Sequence, residues 1–481
     1  MRSDHVPADD RVHPTHDDPG IRALSEGVGG PVGTHAGRHR WWTPLRVLLA
    51  LTAVCFAMGL VKDAPCYRDK WGDSATNYTH MCYSDLPYLY TGRGFAELHW
   101  PYVDDDSVRA RYPAMEYPVV ISYWAWWSAE VTQRLSGNPD VTERAGMPVD
   151  TLGARPEIRT EMLRFVAVNA IGFAALALLS AWLLAGVHRR RPWDAAFFAI
   201  SPALALAGLV NWDMLAVACV AGALWAWSRD RTMLTGGLIG LGVATKLYPL
   251  FLLGGILVIC LRRRRFRELG ETAGVAAATW VLVNAPAYLS GGEAWKTFWR
   301  FNSDRAADLG SVWLLLDQRF DLSLTSSTIN MWSWLVFGAW CVGVLVLGMT
   351  APATPRLAQL GFLVVAGFLL VNKVYSPQYV LWLLPLAVLA RPRLRDQVIW
   401  QLGEVAYFAS VWWYLGNFLA PADGGDAEFY WFAIIVRMLA ELYLVAIVVR
   451  DILWPRYDPV RELGWSAHLP RRSAPRSLAL R

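Results

Sequence analysis

A single lysine, Lys246, interrupts one of the most apolar runs of the chain, GLGVATKLYPLFLL at residues 240–253. An ionisable side chain at membrane depth marks a functional site by default. The alternative is an anchor whose ammonium group extends to the external headgroups. Tyr248 adds a hydroxyl, and Pro249 breaks a helix because it lacks an amide hydrogen. The run therefore predicts a cation and a hydroxyl donor beside a helix break.

Three carboxylates stand near the ends of apolar runs. Asp85 lies in CYSDLPYLYTGRGF and Glu116 in PAMEYP, both after the first run, and Asp213 lies in NWDM between two later runs. Asp213 has a structural alternative as a helix N-cap. A carboxylate placed beside cations suits a general base. These residues predict proton abstraction from an attacking hydroxyl at one membrane face.

A second lysine, Lys373, stands in NKVYSPQY, residues 372–379, directly after an apolar run and with Tyr375 and Gln378 close behind. Taken alone, Lys373 fits an interfacial anchor equally well. Two lysines at one membrane face suit a lipid phosphate. Sugar transfer from a polyprenyl-phosphate sugar needs this combination, because the leaving phosphate must be stabilised while a base takes the acceptor's proton.

Membrane helices must position these residues. The chain has 481 residues, of which 55% are hydrophobic, and mostly apolar runs recur from residue 45 to residue 449. A bilayer core needs roughly 20 apolar residues per helix. Because lipid forces each backbone amide to pair within its own segment, the predicted fold class is an all-α integral membrane protein.

Arginine runs predict the orientation of the helices. They occur at 189–191, 262–265 and 391–395, and the positive-inside rule places them in the cytosol. The net charge of +5 therefore favours orientation and lipid headgroups over nucleic acid, and no nucleic-acid partner is predicted. Residues 62–160 are then external, and the short segment 117–127 is re-entrant or interfacial. The predicted spans are 45–61, 161–187, 194–210, 214–228, 271–289, 329–349, 357–372, 379–390, 398–419 and 429–449.

The segment 233–261 is predicted to be a hairpin of two short helices. Arg231 and Arg262 flank the segment, and both are expected in the cytosol. As one helix it would be roughly 44 Å long and would end on the wrong side of the membrane. As a hairpin, it places Lys246 near the tip, at the external side or facing a polar cavity.

The predicted organisation has three parts. Residues 1–40 are a disordered cytosolic tail, 41–455 a multi-pass membrane domain, and 456–481 a basic cytosolic tail. The membrane domain has external loops at 62–116 and 290–327.

Cysteines and tryptophans contribute less to the prediction. Cys66 and Cys82 share the first external loop, where a disulfide is plausible. No His/Cys cluster has zinc spacing, so no metal site is predicted. Most of the 26 tryptophans are expected in interfacial belts. Trp295, Trp299 and Trp313 have the alternative of stacking on sugar faces.

Four stretches, in order, resemble glycosyltransferase family 87, the bacterial polyprenol-phosphate-mannose-dependent alpha-mannosyltransferases of the C-type fold. They are SDLPYLYTGRGF…PYVDD…MEYP, NWDMLAVA, GLGVATKLYPLFLL and NKVYSPQYVLWLLPL. With the helix spacing they cover most of residues 45–420. The resemblance implies a multi-pass C-type fold with about 12 spans, short hairpin helices and external loops.

The resemblance also implies roles for individual residues. Asp85 matches the catalytic base, with Glu116 as runner-up. Lys246 matches the residue that holds the donor phosphate, with Tyr248 and Lys373 beside it. The other residues expected to line the same cavity are Asp213, Tyr375 and Gln378.

The implied activity is transfer of mannose from a polyprenyl-phosphate donor to a glycolipid or glycan acceptor, with inversion. It would occur at the external face of the plasma membrane, among membrane lipids. No cofactor is implied, and the divalent metal requirement stays open. The alternatives are a polyprenyl-phosphate-arabinofuranose donor, or a lipid or solute transporter. Transporters place charges near the midplane and usually show internal repeats, whereas the charges here stand at external span ends.

Overall fold

The computed structural model describes residues 41–188, 191–419 and 427–461. Within these ranges the regular structure is helical and no strand occurs, which confirms the all-α prediction. The predicted tail 1–40 lies outside the described residues, as does the tail 456–481 from residue 462 onward.

The helices are numbered in chain order. The first ten are α1 Pro44–Lys62, α2 Ala64–Asp69, α3 Ser74–Thr79, α4 Asp85–Gly92, α5 Asp106–Arg111, α6 Val119–Leu135, α7 Val149–Leu152, α8 Pro156–Val187, α9 Ala196–Ala199 and α10 Pro202–Ala207. The next eleven are α11 Asp213–Trp227, α12 Thr232–Val243, α13 Leu252–Arg263, α14 Phe266–Ser290, α15 Gly292–Asp304, α16 Val312–Phe320, α17 Ser326–Thr350, α18 Leu357–Val371, α19 Val380–Ala390, α20 Leu394–Leu415 and α21 Glu428–Leu453. Short 3-10 turns occur at Phe95–Glu97, Thr142–Gly146, Pro192–Ala195, Tyr248–Phe251, Pro377–Tyr379 and Pro455–Tyr457.

Five of the described helices are long and apolar enough to cross a membrane: α1, α8, α14, α17 and α21. They are peripheral, since less than half of each apolar stretch is buried within the protein. The shorter apolar helices α11, α18 and α19 are almost fully buried. The protein is therefore a membrane protein with short helices at its centre. The larger number of about 12 spans stays a prediction.

The predicted span 194–210 is not one helix. The segment forms the turn Pro192–Ala195 followed by α9 and α10. Ser201 is extended, with ψ of 123°, directly before Pro202. A proline disfavours helical geometry in the preceding residue and removes a backbone donor. The broken helix therefore follows from a proline that the hydropathy pattern does not register.

Two segments outside the predicted spans contain more helix than expected. Most of the segment 117–127, predicted to be re-entrant or interfacial, lies in α6, which begins at Val119, continues to Leu135 and is not among the five candidate spans. The Val120 amide, in the first turn of α6, donates to the Ala244 carbonyl at 3.0 Å. The loop 290–327 contains α15 and α16, and α15 is strongly amphipathic. The Trp313 indole of α16 donates to the Val371 carbonyl at 2.8 Å, so both segments contact the rest of the protein.

The segment 233–261 folds as the predicted hairpin. Helices α12 and α13 have 12 residues each, and the turn Tyr248–Phe251 lies between them. The ends of the segment meet, because Arg265 donates to Asp230 at 2.9 Å. Lys246 lies at the opposite end, at the tip.

The arginine runs gather at one end of the helices. Arg191 and Arg391 both donate to carbonyls in residues 455–461. Arg356 pairs with Asp458 of the same segment at 2.9 Å. Arg262 donates to carbonyls at the C-terminal end of α17, just before Arg356 in the chain. The runs therefore share one face, as the orientation prediction requires.

Cysteine labelling tests on which side of the membrane that face lies. Arg263 and Asp104 are both exposed, and they lie in segments predicted to be cytosolic and external, respectively. In intact cells, Asp104→Cys is expected to react with a membrane-impermeant thiol reagent, and Arg263→Cys only after permeabilisation. The unsubstituted protein, whose free cysteines are largely buried, gives the background. Labelling of Arg263→Cys from outside would overturn the orientation.

Candidate functional site

A cavity of about 670 Å³ brings together five of the polar residues that the sequence analysis assigned to a site. It lies at the tip of the α12–α13 hairpin, away from the arginine end. Its walls come from the segment 62–116, the hairpin tip, the loop after α15 and the loop before α19, together with residues of α15, α17, α18 and α20. The five residues are Asp85, Glu116, Lys246, Lys373 and Gln378.

Asp85 is held firmly at the cavity wall. Its amide donates to the Val210 carbonyl at 2.9 Å, and the preceding Ser84 caps α4. The carboxylate accepts hydrogen bonds from Asn211 at 2.5 Å and from Tyr117 at 3.1 Å. Burial raises the pKa of Asp85, against the effect of these hydrogen bonds. A carboxylate with a raised pKa and uncharged hydrogen-bonding partners suits proton acceptance.

Glu116 also lines the cavity, but a guanidinium already occupies its carboxylate. Arg93 donates from Nε at 3.0 Å and from Nη2 at 2.9 Å, which is a two-point ion pair. Such pairs are among the stronger charged contacts and hold both side chains in place. Glu116 is therefore less available for proton transfer than Asp85.

Lys246 is 8% exposed and lies inside the site. Its Nζ is 3.5 Å from Asp213 Oδ1 and 4.9 Å from the centroid of the Tyr117 ring. An ammonium group has three donors, so a ligand in the cavity can still bind it. The geometry differs from that of a headgroup anchor, because the side chain is enclosed by protein.

Asp213 lies behind Lys246 and outside the cavity lining. It is the first residue of α11, and the preceding Trp212 holds the N-cap position, so the N-cap alternative is wrong. Its Oδ1 accepts a hydrogen bond from Trp382 Nε1 at 2.6 Å. Asp213 therefore orients Lys246 rather than facing the cavity, which corrects its expected place.

Two tyrosines expected at the cavity also lie behind it. Tyr248 is fully buried and stacks on Trp382 with ring centroids 4.7 Å apart, and its hydroxyl has no hydrogen-bond partner among the described residues. Tyr375 is fully buried and donates to Glu404 at 2.9 Å. Both rings fill the core because the neighbouring turns direct them inward. Gln378 does line the cavity, and its side-chain oxygen accepts from Ser376 at 2.7 Å.

A third cation, Arg305, lines the cavity and was missed by the sequence reasoning. It pairs with Asp308 at 2.6 Å. Lys373 donates to Asn330 at 2.8 Å and to the Ser303 carbonyl at 3.0 Å. Burial, followed by the nearby Arg305, lowers the pKa of Lys373. We refer to Lys246, Arg305 and Lys373 as the cation wall.

The loops that carry Arg305 and Lys373 form one unit. The Asp308 amide donates to the Lys373 carbonyl at 2.8 Å, and the Tyr375 amide donates back to the other loop at 2.7 Å. Gly310 lies at this contact with φ of 69°. A Cβ there would lie 2.6 Å from the Tyr375 carbonyl oxygen, which is a clash. The close approach therefore requires glycine.

A buried cluster on α20 and α21 supports this contact from behind. The Tyr407 hydroxyl donates to the Tyr375 carbonyl at 2.6 Å, and the Tyr430 hydroxyl accepts from the Gly310 amide at 2.9 Å. Arg437 is fully buried, with its guanidinium 3.7 Å from the centroid of the Tyr375 ring. The last two long helices therefore position two of the three cations.

Tyr407→Phe is expected to lower kcat/KM for a phosphate-bearing substrate about fivefold, because one hydrogen bond contributes about 1 kcal/mol. Substrate KM, kcat and melting temperature measure the effect. The matched control is Tyr443→Phe, which removes a 2.7 Å bond to Asp396 at the arginine end. If Tyr407→Phe lowers only the melting temperature, Tyr407 supports the fold and does not position the cations.

The remaining predicted features have definite places. Cys66 and Cys82 form a disulfide in the segment 62–116, which is predicted to be external. Trp299 lines the cavity. Trp295 donates to Asn284, and the Trp313 indole donates to a backbone carbonyl, so neither ring nitrogen is free. In the part of the chain that is described, no group of three or more His, Cys, Asp or Glu side chains could hold a metal ion.

Comparison with known proteins adds one match. Residues 156–372 match the model of glycosyltransferase family 87. The matched region includes Lys246 and Arg305, and it ends just before Lys373. Asp85 lies outside it, as do α20 and α21. No curated protein matches the chain. The family match indicates a membrane glycosyltransferase, and the matched region contains the two middle motifs, NWDMLAVA and GLGVATKLYPLFLL.

Proposed function

We propose that the protein transfers mannose from a polyprenyl-phosphate donor to a glycolipid or glycan acceptor, with inversion, in the cavity at the hairpin tip. One observation carries the proposal: a half-buried carboxylate, Asp85, and the cation wall line the same cavity. The cavity then faces the external side of the plasma membrane, opposite the arginine end.

The donor's two chemical parts match two parts of the cavity. The phosphate binds at the cation wall, where charged hydrogen bonds compensate its negative charge. The polyprenyl chain lies along Trp334, Phe337 and Phe368, which also line the cavity. Trp334 is 57% exposed on α17, and only 17% of the apolar stretch of that helix is buried. This wall therefore gives the chain a route into surrounding lipid.

The reaction is a single displacement. Asp85 takes the proton from an acceptor hydroxyl as its oxygen forms a bond to the anomeric carbon. The bond from that carbon to the phosphate oxygen breaks, and the electron pair leaves with the phosphate. The cation wall stabilises the charge that develops there. Because attack is opposite the leaving group, the anomeric configuration inverts.

Radiolabelled transfer tests the proposal. The purified full-length protein in vesicles receives labelled polyprenyl-phosphate mannose and extracted membrane lipids. Labelled glycolipid is expected to form with the parent protein and not with Asp85→Asn. Labelled polyprenyl-phosphate arabinofuranose in a parallel reaction tests the sugar. Movement of donor between leaflets without a new glycoside would show a transporter and overturn the proposal.

A further inference from the structure

Three aromatic rings line the cavity apart from the cation wall: Tyr78, Tyr83 and Trp412. The Tyr78 and Tyr83 rings are 6.2 Å apart and nearly parallel, with an interplanar angle of 8°. The Tyr83 and Trp412 centroids are 5.2 Å apart. We refer to these three rings as the aromatic wall. It joins the first external loop to α20, so the tertiary fold builds it.

Tyr78 and Tyr83 of the aromatic wall are held by contacts that do not involve the loops of Arg305 and Lys373. The Cys66–Cys82 disulfide closes the segment that holds Tyr78. Tyr83 stacks on Tyr88 with centroids 5.5 Å apart. These contacts hold the rings before any ligand arrives, which lowers the entropic cost of binding.

The aromatic wall lies beside the proposed base. Tyr83 precedes Asp85 by two residues, and both line the cavity. Burial and the neighbouring Asp85 carboxylate raise the pKa of Tyr83. A group bound against these rings is therefore close to the carboxylate that must take its proton.

A sugar ring matches this surface. Its C–H face is apolar and packs on an aromatic ring, while its hydroxyls hydrogen-bond at the rim, where tyrosine supplies a polar group. The polyprenyl chain has a separate apolar wall at Trp334, Phe337 and Phe368, and the phosphate has the cation wall. The aromatic wall is a part of the cavity lining that lies outside both the cation wall and the apolar wall.

We propose that the aromatic wall binds the acceptor, through a terminal sugar residue that stacks on Tyr78, Tyr83 and Trp412 with a hydroxyl directed at Asp85. This inference rests on the proposed function and adds to it. It assigns the terminal sugar of the acceptor to three named rings of the cavity.

Separate titration of donor and acceptor tests the inference. Polyprenyl-phosphate mannose is varied at fixed lipid extract, and the lipid extract is varied at fixed donor. In Tyr78→Leu and Tyr83→Leu, the half-saturating amount of lipid extract is expected to rise up to about tenfold, because an aromatic contact contributes about 0.5–1.5 kcal/mol. Donor KM is expected to stay at the parent value. Tyr78→Phe keeps the ring and is expected to retain most acceptor affinity.

The matched control is Tyr288→Leu. Tyr288 is 54% exposed and packs on Trp295 outside the cavity lining, so its loss should change neither titration. A rise in donor KM in the Tyr78 and Tyr83 variants would assign the aromatic wall to the donor and overturn the inference. Unchanged values in both titrations would also overturn it, while the proposed function would stand. Absence of transfer in the parent protein would instead refute the proposed function.

Discussion

Asp85→Asn is expected to insert and fold as the parent does and to lose sugar transfer by about 10²- to 10⁴-fold, the contribution of a general base. The amide keeps the size of the side chain and can still bond to Asn211 and Tyr117, whose groups contact the carboxylate at 2.5 and 3.1 Å. It cannot take a proton. Initial rates of labelled transfer, with the melting temperature as a check on folding, measure the effect.

Glu116→Gln is the matched control, because it also changes a carboxylate on the cavity wall. Arg93 holds Glu116 from two nitrogens, so the substitution should affect stability more than proton transfer. Residual activity of Asp85→Asn within about threefold of the parent would contradict the assignment. The role would then move to Glu116.

The pH profile gives an independent check on Asp85. The base works only when it is ionised, so the rate should fall as pH falls through its pKa. Because burial raises that pKa, the acidic fall should occur above the ordinary aspartate value of about 3.9. Asp85→Glu should keep an acidic fall, and Asp85→Asn should remove it from any residual activity.

Lys246→Met is the second large effect expected. Methionine is similar in length but neutral, so the donor phosphate loses one charged hydrogen bond. Such a bond contributes about 1.5–3 kcal/mol, which corresponds to roughly 10- to 150-fold. The loss should appear in donor use, with acceptor titration nearly unchanged. Lys246→Arg should retain part of the activity, because a guanidinium presents a different geometry from a point charge.

Two further variants separate this role from a structural one. Lys296→Met removes an exposed lysine that pairs with Glu293 at 2.7 Å on α15, and it should leave transfer unchanged. Lys246→Met also leaves Asp213 buried without its cation, which lowers stability. The double variant Lys246→Met with Asp213→Asn should therefore regain the parent's melting temperature but should not regain sugar transfer. If Lys246→Met transfers at the parent rate, Lys246 is an anchor. The phosphate must then be sought at Arg305 and Lys373.

The sequence by itself determined the features that follow from local rules. Apolar runs must form helices in lipid, because backbone amides have no other partners there. Arg231 and Arg262 flank the segment 233–261, and Pro249 breaks it. These three residues were enough to predict the hairpin and to place Lys246 at its tip. The order of motifs was enough to identify a resemblance to glycosyltransferase family 87, whose model residues 156–372 match.

Tertiary structure alone decided which polar side chains face the cavity. Tyr248 and Tyr375 were expected at the cavity, yet both are fully buried. The direction of a side chain at an irregular turn follows no sequence period, so the sequence could not predict which way these two rings face. Nothing in the sequence distinguishes Arg305 from Arg300 as a cavity residue. Arg305 reaches the cavity because its loop pairs through backbone hydrogen bonds with the loop of Lys373. Such contacts join segments that are distant in the chain. Packing determines them, and neither residue spacing nor composition predicts them.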